Sequence, residues 1–485
     1  MSDKKKSKSL NREPNKIRTE KTLPLAKNEE YEMLIEDIAS DGSGIGHLFG
    51  MTVFVKDAVV GDFAKVKIIK LKKTYAYARL MEIIKESDDR VTPRCGIAKR
   101  CGGCTLQQLS YEAQLEYKWN KVKNCLYRIG GISNPEELME KPAYGMENPF
   151  HYRNKAQFPV GRDKNGKVVS GFYAGRSHDI VDTESCVIGA PVNDEIMAIV
   201  RDYIEQNSVS TYDETTGKGL VRHVLIRVGF TTGEIMVCVV INGSSLPNSD
   251  YLIEKLTNIP KMTSIVININ RENTNKILGE KCKTLWGQAF ITDYIGDIKY
   301  RISPLSFFQV NPVQTKVLYD KALEYADLKG DEIVWDMYCG IGTISLFLAQ
   351  KAKKVYGVEI VPDAIVDAEK NAEINHFTNT EFFVGKAEEV VPEKYGTGDS
   401  EYKADVVVVD PPRKGCDEVL LDTLARMSPQ RIVYVSCDPA TLARDIKILS
   451  EKGYSLKKAA VVDQFCHSVH VETCALLVKV SDSEA

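Results

Sequence analysis

Between residues 29 and 86 the apolar positions come in short alternating runs: YEMLIEDIA, MTVFVKDAV, DFAKVKIIKLKK and YAYARLMEII. Gly- and Asp-rich segments, DGSGIGHLFG and VVGD, separate them and supply turn chemistry. Roughly four or five short strands in so little chain predict a small β-barrel of the OB type. From 90 to 190 a helical stretch, SYEAQLEYKWNKVKNCLYRIGG, precedes polar β-like runs. From 191 to 300 a helix (NDEIMAIVRDYIEQN) precedes strands VRHVLIRVGF, EIMVCVVING and SIVININ, an α+β pattern. After about 303 the pattern becomes regular β-α alternation: EIVWDMYC, KVYGVEI, TEFFVG, DVVVVD and RIVYVSC, each separated by helical sequence, then a last pair of strands. Such alternation predicts a doubly wound, Rossmann-like α/β sheet.

The pattern therefore divides the chain into a basic arm (1–26), a barrel (27–88), a central α+β domain (89–302) and a C-terminal α/β domain (303–485). The arm is rich in Lys and Arg and poor in apolar residues, so it reads as disordered. In the barrel, Lys65, Lys67, Lys70, Lys72 and Lys73 followed by Tyr75 and Tyr77 suit either a basic, aromatic nucleic-acid face or a lysine-protected edge.

Composition adds little. Of 485 residues, 43% are hydrophobic and 27% charged, as in a soluble globular protein, and the net charge of −3 gives no global pull toward nucleic acid. No apolar run approaches the roughly 18 residues of a membrane span, and the basic N-terminus lacks the apolar segment of a secretory signal. The expected location is the cytoplasm, where 12 cysteines do not form a disulfide framework. Clustered ones then suggest metal or catalysis.

Chemistry concentrates at the carboxyl ends of the C-terminal strands. In DMYCGIGTISL, Gly340 and Gly342 let the backbone approach a ligand at a helix N-terminus, and the next strand ends in Glu359, placed to take ribose hydroxyls. A pyrophosphate cofactor is disfavoured, because Ser345 stands where the third dinucleotide glycine would be. S-adenosylmethionine (SAM) fits better. Asp410 ends a four-valine strand and is followed by Pro411-Pro412-Arg413, where DNA amino-methyltransferases carry an aromatic residue. Cys437 ends the next strand, before Asp438-Pro439.

A thiol beside a methyl donor suggests attack on carbon 6 of a pyrimidine, which makes carbon 5 nucleophilic. A base must then remove the carbon-5 proton. Glu472, in an otherwise apolar strand, is the candidate; His467 and His470 read as structural or RNA-contacting. Cys95, Cys101 and Cys104 cluster, and Cys186 lies further on; by spacing alone zinc and iron–sulfur are equally open. Cys125, Cys238, Cys282, Cys416, Cys466 and Cys474 read as packing residues.

The motifs SFFQVN (306–311), DMYCGIGTISL (336–346), VVVDPPRKG (407–415), VSCDPATLARD (435–445) and HVE (470–472) together resemble the RNA uracil-5-methyltransferases that carry a TRAM domain and a [4Fe-4S] cluster. The bacterial 23S rRNA enzymes are the most similar. That resemblance implies Cys437 as nucleophile, Glu472 as base, and Gln309, Tyr338, Gly340, Gly342, Glu359 and Asp410 as SAM contacts. It also implies Cys95, Cys101, Cys104 and Cys186 as ligands of a [4Fe-4S] cluster. Relatives acting on tRNA generally lack the barrel and these cysteines, so 23S rRNA is the expected partner. The alternatives are uridine-5 methylation of tRNA, cytosine-5 methylation, and a non-catalytic assembly factor. Asn311-Pro312 reads as a helix cap. Relatives have Phe-Pro where this chain has Phe465-Cys466, which puts the entry of the Glu472 strand in question.

Overall fold

A computed structural model describes residues 25–396 and 400–480. Nearly all of the basic arm lies outside the described residues. Two units are distinguished: residues 1–39 with 43–88, and residues 40–42 with 89–485.

In the first unit six strands form one sheet in the order Glu30–Leu34, Phe63–Leu71, Tyr75–Lys85, Met51–Lys56, Gly44–Leu48, Asp37–Ile38. Alternation puts Val53, Val55, Val66, Ile68, Ala76 and Ala78 into one core. The sheet closes where the Glu36 N–H donates to the Ile45 carbonyl at 2.7 Å. Gly46 permits that closure, since a Cβ there would stand 2.2 Å from the Leu34 carbonyl oxygen. On the outward face Phe54, Tyr75 and Tyr77 pack together, with ring centroids 5.5–5.8 Å apart. Lys65 and Lys67 instead pair with Glu30, at 3.0 and 3.8 Å.

The second unit holds two large sheets. The first contains Lys155–Arg162, Val168–Tyr173, Ile180–Asp182, Val221–Val228, Ile235–Ile241, Met262–Ile269 and Lys281–Gly287. Helices Val192–Gln206 and Ser249–Thr257 cover one of its faces.

The second sheet comprises β1 (Ile333–Asp336), β2 (Lys354–Glu359), β3 (Thr380–Val384), β4 (Val406–Val409), β5 (Arg431–Ser436), β6 (Tyr454–Val462) and β7 (Glu472–Lys479). Their spatial order is β3-β2-β1-β4-β5-β7-β6. Strands β1 to β5 pair in parallel, and β7 runs antiparallel between β5 and β6. Parallel strands covered on both faces read as continuous apolar runs, which is why VVVV appears in β4. Helix Pro312–Ala326 covers one face through Leu318, Tyr319 and Ala322.

The other face is covered partly from far away in sequence. Helix Tyr111–Arg128 contributes Trp119, Val122 and Leu126 to the cluster that holds Val407, Val409 and Tyr434. Ser110 caps that helix, accepting from the Ala113 N–H at 3.3 Å. The following segment runs along the β6 edge, with the Glu140 and Tyr144 N–H groups donating to Ala459 and Val461 at 2.8 Å each. Residues 111–144 thus pack with the C-terminal sheet. Among the described residues no helix is long and apolar enough to cross a membrane.

Candidate active site

Register decides which side chains meet. Asp336 lies opposite Val408 on β4 and Gly357 on β2, so Asp336, Asp410 and Glu359 share one face by the period of two. Val408 pairs with Val433, and Val435 with Cys474, which brings Cys437 and Glu472 onto the same face. The last antiparallel pair is Ser436 with Thr473; one step further sets Cys437 opposite Glu472. Asp336 and four expected site residues, Glu359, Asp410, Cys437 and Glu472, therefore emerge at one edge of the sheet, on the side covered by helix Pro312–Ala326.

Asp438-Pro439 explains how the strand stops. The Asp438 carboxylate accepts from the Ala440 and Thr441 N–H groups at 2.9 and 3.2 Å, and Pro439 starts the helix Pro439–Ser450. Cys437 is left between the strand end and the cap, only partly covered.

Burial and like charge dominate the electrostatics. Burial, with Asp336 nearby, pushes Asp410 up to about 7. Burial pushes Asp336 up to about 6, against a Ser345 hydroxyl that donates to it at 2.6 Å. Glu472 is 3% exposed, and burial followed by Asp410 raises it well above the ordinary carboxylate value. Burial, then Glu472 and Asp410, pushes the Cys437 thiol up to about 11. Arg413, itself exposed on the loop after β4, opposes the shift at both Cys437 and Glu472. Burial and like charge thus raise Asp336, Asp410, Cys437 and Glu472 together, a set that a cation at this edge would oppose.

The glycine turn leaves space at the same edge. Gly340 has φ +55°, and a Cβ there would meet nothing within 4 Å. Gly342, at φ +82°, precedes helix Thr343–Ala349. The Glu359 carboxylate accepts from the Gly340 and Val361 N–H groups at 3.2 and 2.9 Å, fixing the turn to the end of β2. Exposed Ile360 adds apolar surface beside it. Gln309 is buried, its side-chain oxygen accepting from Gln464 at 3.4 Å. Tyr338 stands apart, its hydroxyl directed at the Cys416 thiol on the other face. Asn311 caps helix Pro312–Ala326, accepting from the Gln314 N–H at 3.2 Å.

The cluster cysteines converge elsewhere. Cys95, Cys101, Cys104 and Cys186 line one cavity of about 20 Å³ with Ile97, Phe172 and Val187. Burial pushes the Cys104 thiol up to about 12 and raises Cys101 and Cys186, with the neighbouring thiols adding to the effect. The Gly103 N–H donates to the Cys101 sulfur at 3.4 Å, and the Gln107 side-chain amide, buried beside Cys104, favours its thiolate. Among the described residues no three acidic, histidine or cysteine side chains already form a metal-holding group. The donor set itself, four thiols with N–H donors in an apolar cavity, suits an iron–sulfur cluster.

Comparison with known proteins places this geometry. Residues 110–480 match the model of the tRNA (uracil-5-)-methyltransferase family, and residues 24–81 match the TRAM domain. The chain belongs to that family. It is 51% identical to an uncharacterized RNA methyltransferase of Clostridium tetani over 96% of this chain and 99% of the relative. Another, from Bacillus cereus, is 50% identical over 95% and 99%. Among solved structures, the Pyrococcus abyssi tRNA (uracil-54, C5)-methyltransferase in complex with S-adenosyl-L-homocysteine is similar. It aligns with TM-score 0.74 and 31% identity over 92% of this chain and all of that one.

As a SAM-dependent RNA methyltransferase of the uracil-5 type, the chain has further parts that sequence reading missed. Gln464 is fully buried and donates to Thr315 at 2.8 Å and to the Asn311 carbonyl at 3.3 Å, tying the β6 end to the Gln309 segment. A polar residue closing an apolar strand was the available signal. His467 is buried with φ +64°, its carbonyl accepting from the Thr105 and Leu106 N–H groups at 2.9 and 3.0 Å, so it is structural. His470 is exposed. Cys282, expected to pack, is exposed as well, because its strand forms the edge of the first large sheet.

Proposed function

We propose that this enzyme methylates carbon 5 of a uridine in 23S rRNA, with Cys437 as nucleophile and Glu472 as base. The facing of Cys437 and Glu472 across the β5–β7 register carries the reading. Carbon 5 of uracil is too weak a nucleophile to take a methyl group unaided. The Cys437 thiolate forms a bond to carbon 6, and the electron pair moves to carbon 5. SAM, held by Gly340, Gly342, Glu359, Asp410 and Gln309, supplies the methyl group from a sulfonium cation. A positive charge at this edge counters the burial and the neighbouring carboxylates that raise Cys437 and Glu472. Once carbon 5 carries the methyl group, Glu472 accepts its proton, the carbon 6–sulfur bond breaks and the thiolate leaves. The target base has to be flipped out of its stack to reach Cys437.

Cys95, Cys101, Cys104 and Cys186 hold a [4Fe-4S] cluster in this reading, which ties the 95–104 loop to the 183–189 segment. The barrel's aromatic and lysine face contributes RNA contacts.

A tRNA substrate is the second reading. It is favoured by the Pyrococcus abyssi enzyme, a tRNA methyltransferase that spans 92% of this chain, barrel included. One experiment separates the two. Unmodified 23S rRNA and a tRNA transcript are incubated with enzyme and SAM, digested, and searched for 5-methyluridine by mass spectrometry. Product in 23S rRNA that vanishes with Cys437→Ala supports the reading. Product only in tRNA moves the substrate, and 5-methylcytidine overturns the chemistry.

A further inference from the structure

Helix Tyr111–Arg128 does more than cover the sheet. Four of its residues, Tyr111, Gln114, Lys118 and Lys121, recur at helical spacing and reach the turn between β6 and β7. The Tyr111 hydroxyl donates to Asp463 at 2.7 Å. Lys118 Nζ is paired with the other Asp463 oxygen and donates to the Phe465 carbonyl at 3.0 Å. Gln114 Oε1 accepts from the His467 N–H at 3.1 Å, and Lys121 Nζ donates to the Val469 carbonyl at 2.8 Å. Alternate residues of the turn, 463, 465, 467 and 469, are thus each held by the helix, and Glu472 follows three positions later.

The Lys118–Asp463 pair is the expensive element. Its side chains are 0% and 1% exposed. Two charges removed from water this completely are often replaceable by apolar residues without loss of stability, so burial alone does not explain the pair. A clamp on the turn that delivers Glu472 does. The turn also carries Cys466, whose thiol lies 3.5 Å from the Tyr111 hydroxyl.

We propose that Lys118 and Asp463 are positioning residues that fix the 463–470 turn, and through it the Glu472 carboxylate, for removal of the carbon-5 proton. The inference rests on Glu472 being the base. Severing the pair then slows proton removal while thiolate addition and methyl transfer, which use Cys437 and the SAM-holding residues at the ends of β1, β2 and β4, proceed.

The test uses full-length enzyme, SAM and the transcript the wild type methylates, carrying tritium at carbon 5 of uridine. Two quantities are read in single turnover: RNA covalently bound to protein after SDS denaturation, and tritium released to water. For Lys118→Met and the isosteric Asp463→Asn we expect release to slow about 10–100-fold, the scale of a misplacement on the order of 1 Å. Bound RNA should accumulate at close to the wild-type initial rate. The double variant Lys118→Met/Asp463→Leu removes both charges and separates folding from positioning. If its melting temperature recovers and release stays slow, the proposal stands. If release recovers with the melting temperature, or if adduct formation slows as much as release, the pair is merely structural and the proposal falls. Glu472→Gln is run in parallel. If it too releases tritium at the wild-type rate, the assignment of the base fails and takes the pair's role with it; if it arrests and the pair variants do not, only the pair's role fails.

Discussion

Two groups of thiols in this chain are raised by burial, and they differ in what else raises them. Cys437 faces carboxylates, Glu472 and Asp410, with Arg413 in opposition. Cys104 faces other thiols, Cys186, Cys101 and Cys95, in an apolar cavity. In the proposed reading the first arrangement favours a thiolate while the SAM cation is bound beside it. The second favours thiolates only with a resident cation shared among them. In the proposed reading, one residue type serves a cyclic reaction at a sheet edge and a fixed ligand set in a cavity.

The largest effect that would break this contrast concerns the nucleophile. Cys437→Ala is expected to lower methylation at least about 10⁴-fold, as removal of a covalent catalyst does. Residual 5-methyluridine by mass spectrometry near the wild-type level would remove Cys437 from the chemistry. Glu472→Gln should cost turnover about 10²–10⁴-fold, the range of a general base.

Asp410→Asn sharpens the electrostatic side. Asp410 stands at about 7 in the folded protein against an ordinary value of 3.8. The folded state therefore binds that proton more tightly, which favours folding below about pH 4 and is lost as pH rises through about 7. The variant should melt a few degrees higher than the wild type at pH 8 and equally at pH 4, gaining roughly 1–3 kcal/mol at the higher pH. SAM affinity, by calorimetry, should fall in the same variant. A variant less stable at pH 8 would contradict the buried-carboxylate account.

Cys104→Ser is the smallest in its effect on the chemistry. Anaerobically purified wild type should carry about four iron and four acid-labile sulfide per chain, and the variant far less. The pH profile of Cys437 alkylation should be unchanged between them. Stoichiometric zinc without iron would replace the cluster.

Much of this was legible in the residues. The β-α alternation after about 303 announced the C-terminal sheet, and DMYCGIGTISL, VVVDPPRKG and VSCDPATLARD marked its candidate edge. The face-sharing of Asp336, Glu359, Asp410, Cys437 and Glu472 was not legible, since it depends on strand register. The role of helix Tyr111–Arg128 was hidden for a different reason. Lys118 and Asp463 lie 345 residues apart, and nothing in the helical periodicity of one segment names its partner. The packing of Tyr338 was equally hidden: its hydroxyl faces the Cys416 thiol, a partner that no motif names.

Covalent trapping tests the central claim most directly. Glu472→Gln is incubated with SAM and substrate RNA, denatured, and digested with nuclease and protease. Mass spectrometry should find the Cys437 peptide carrying a methylated uridine joined through sulfur. An adduct on another cysteine, or free 5-methyluridine with no adduct at all, would contradict the pairing of Cys437 with Glu472.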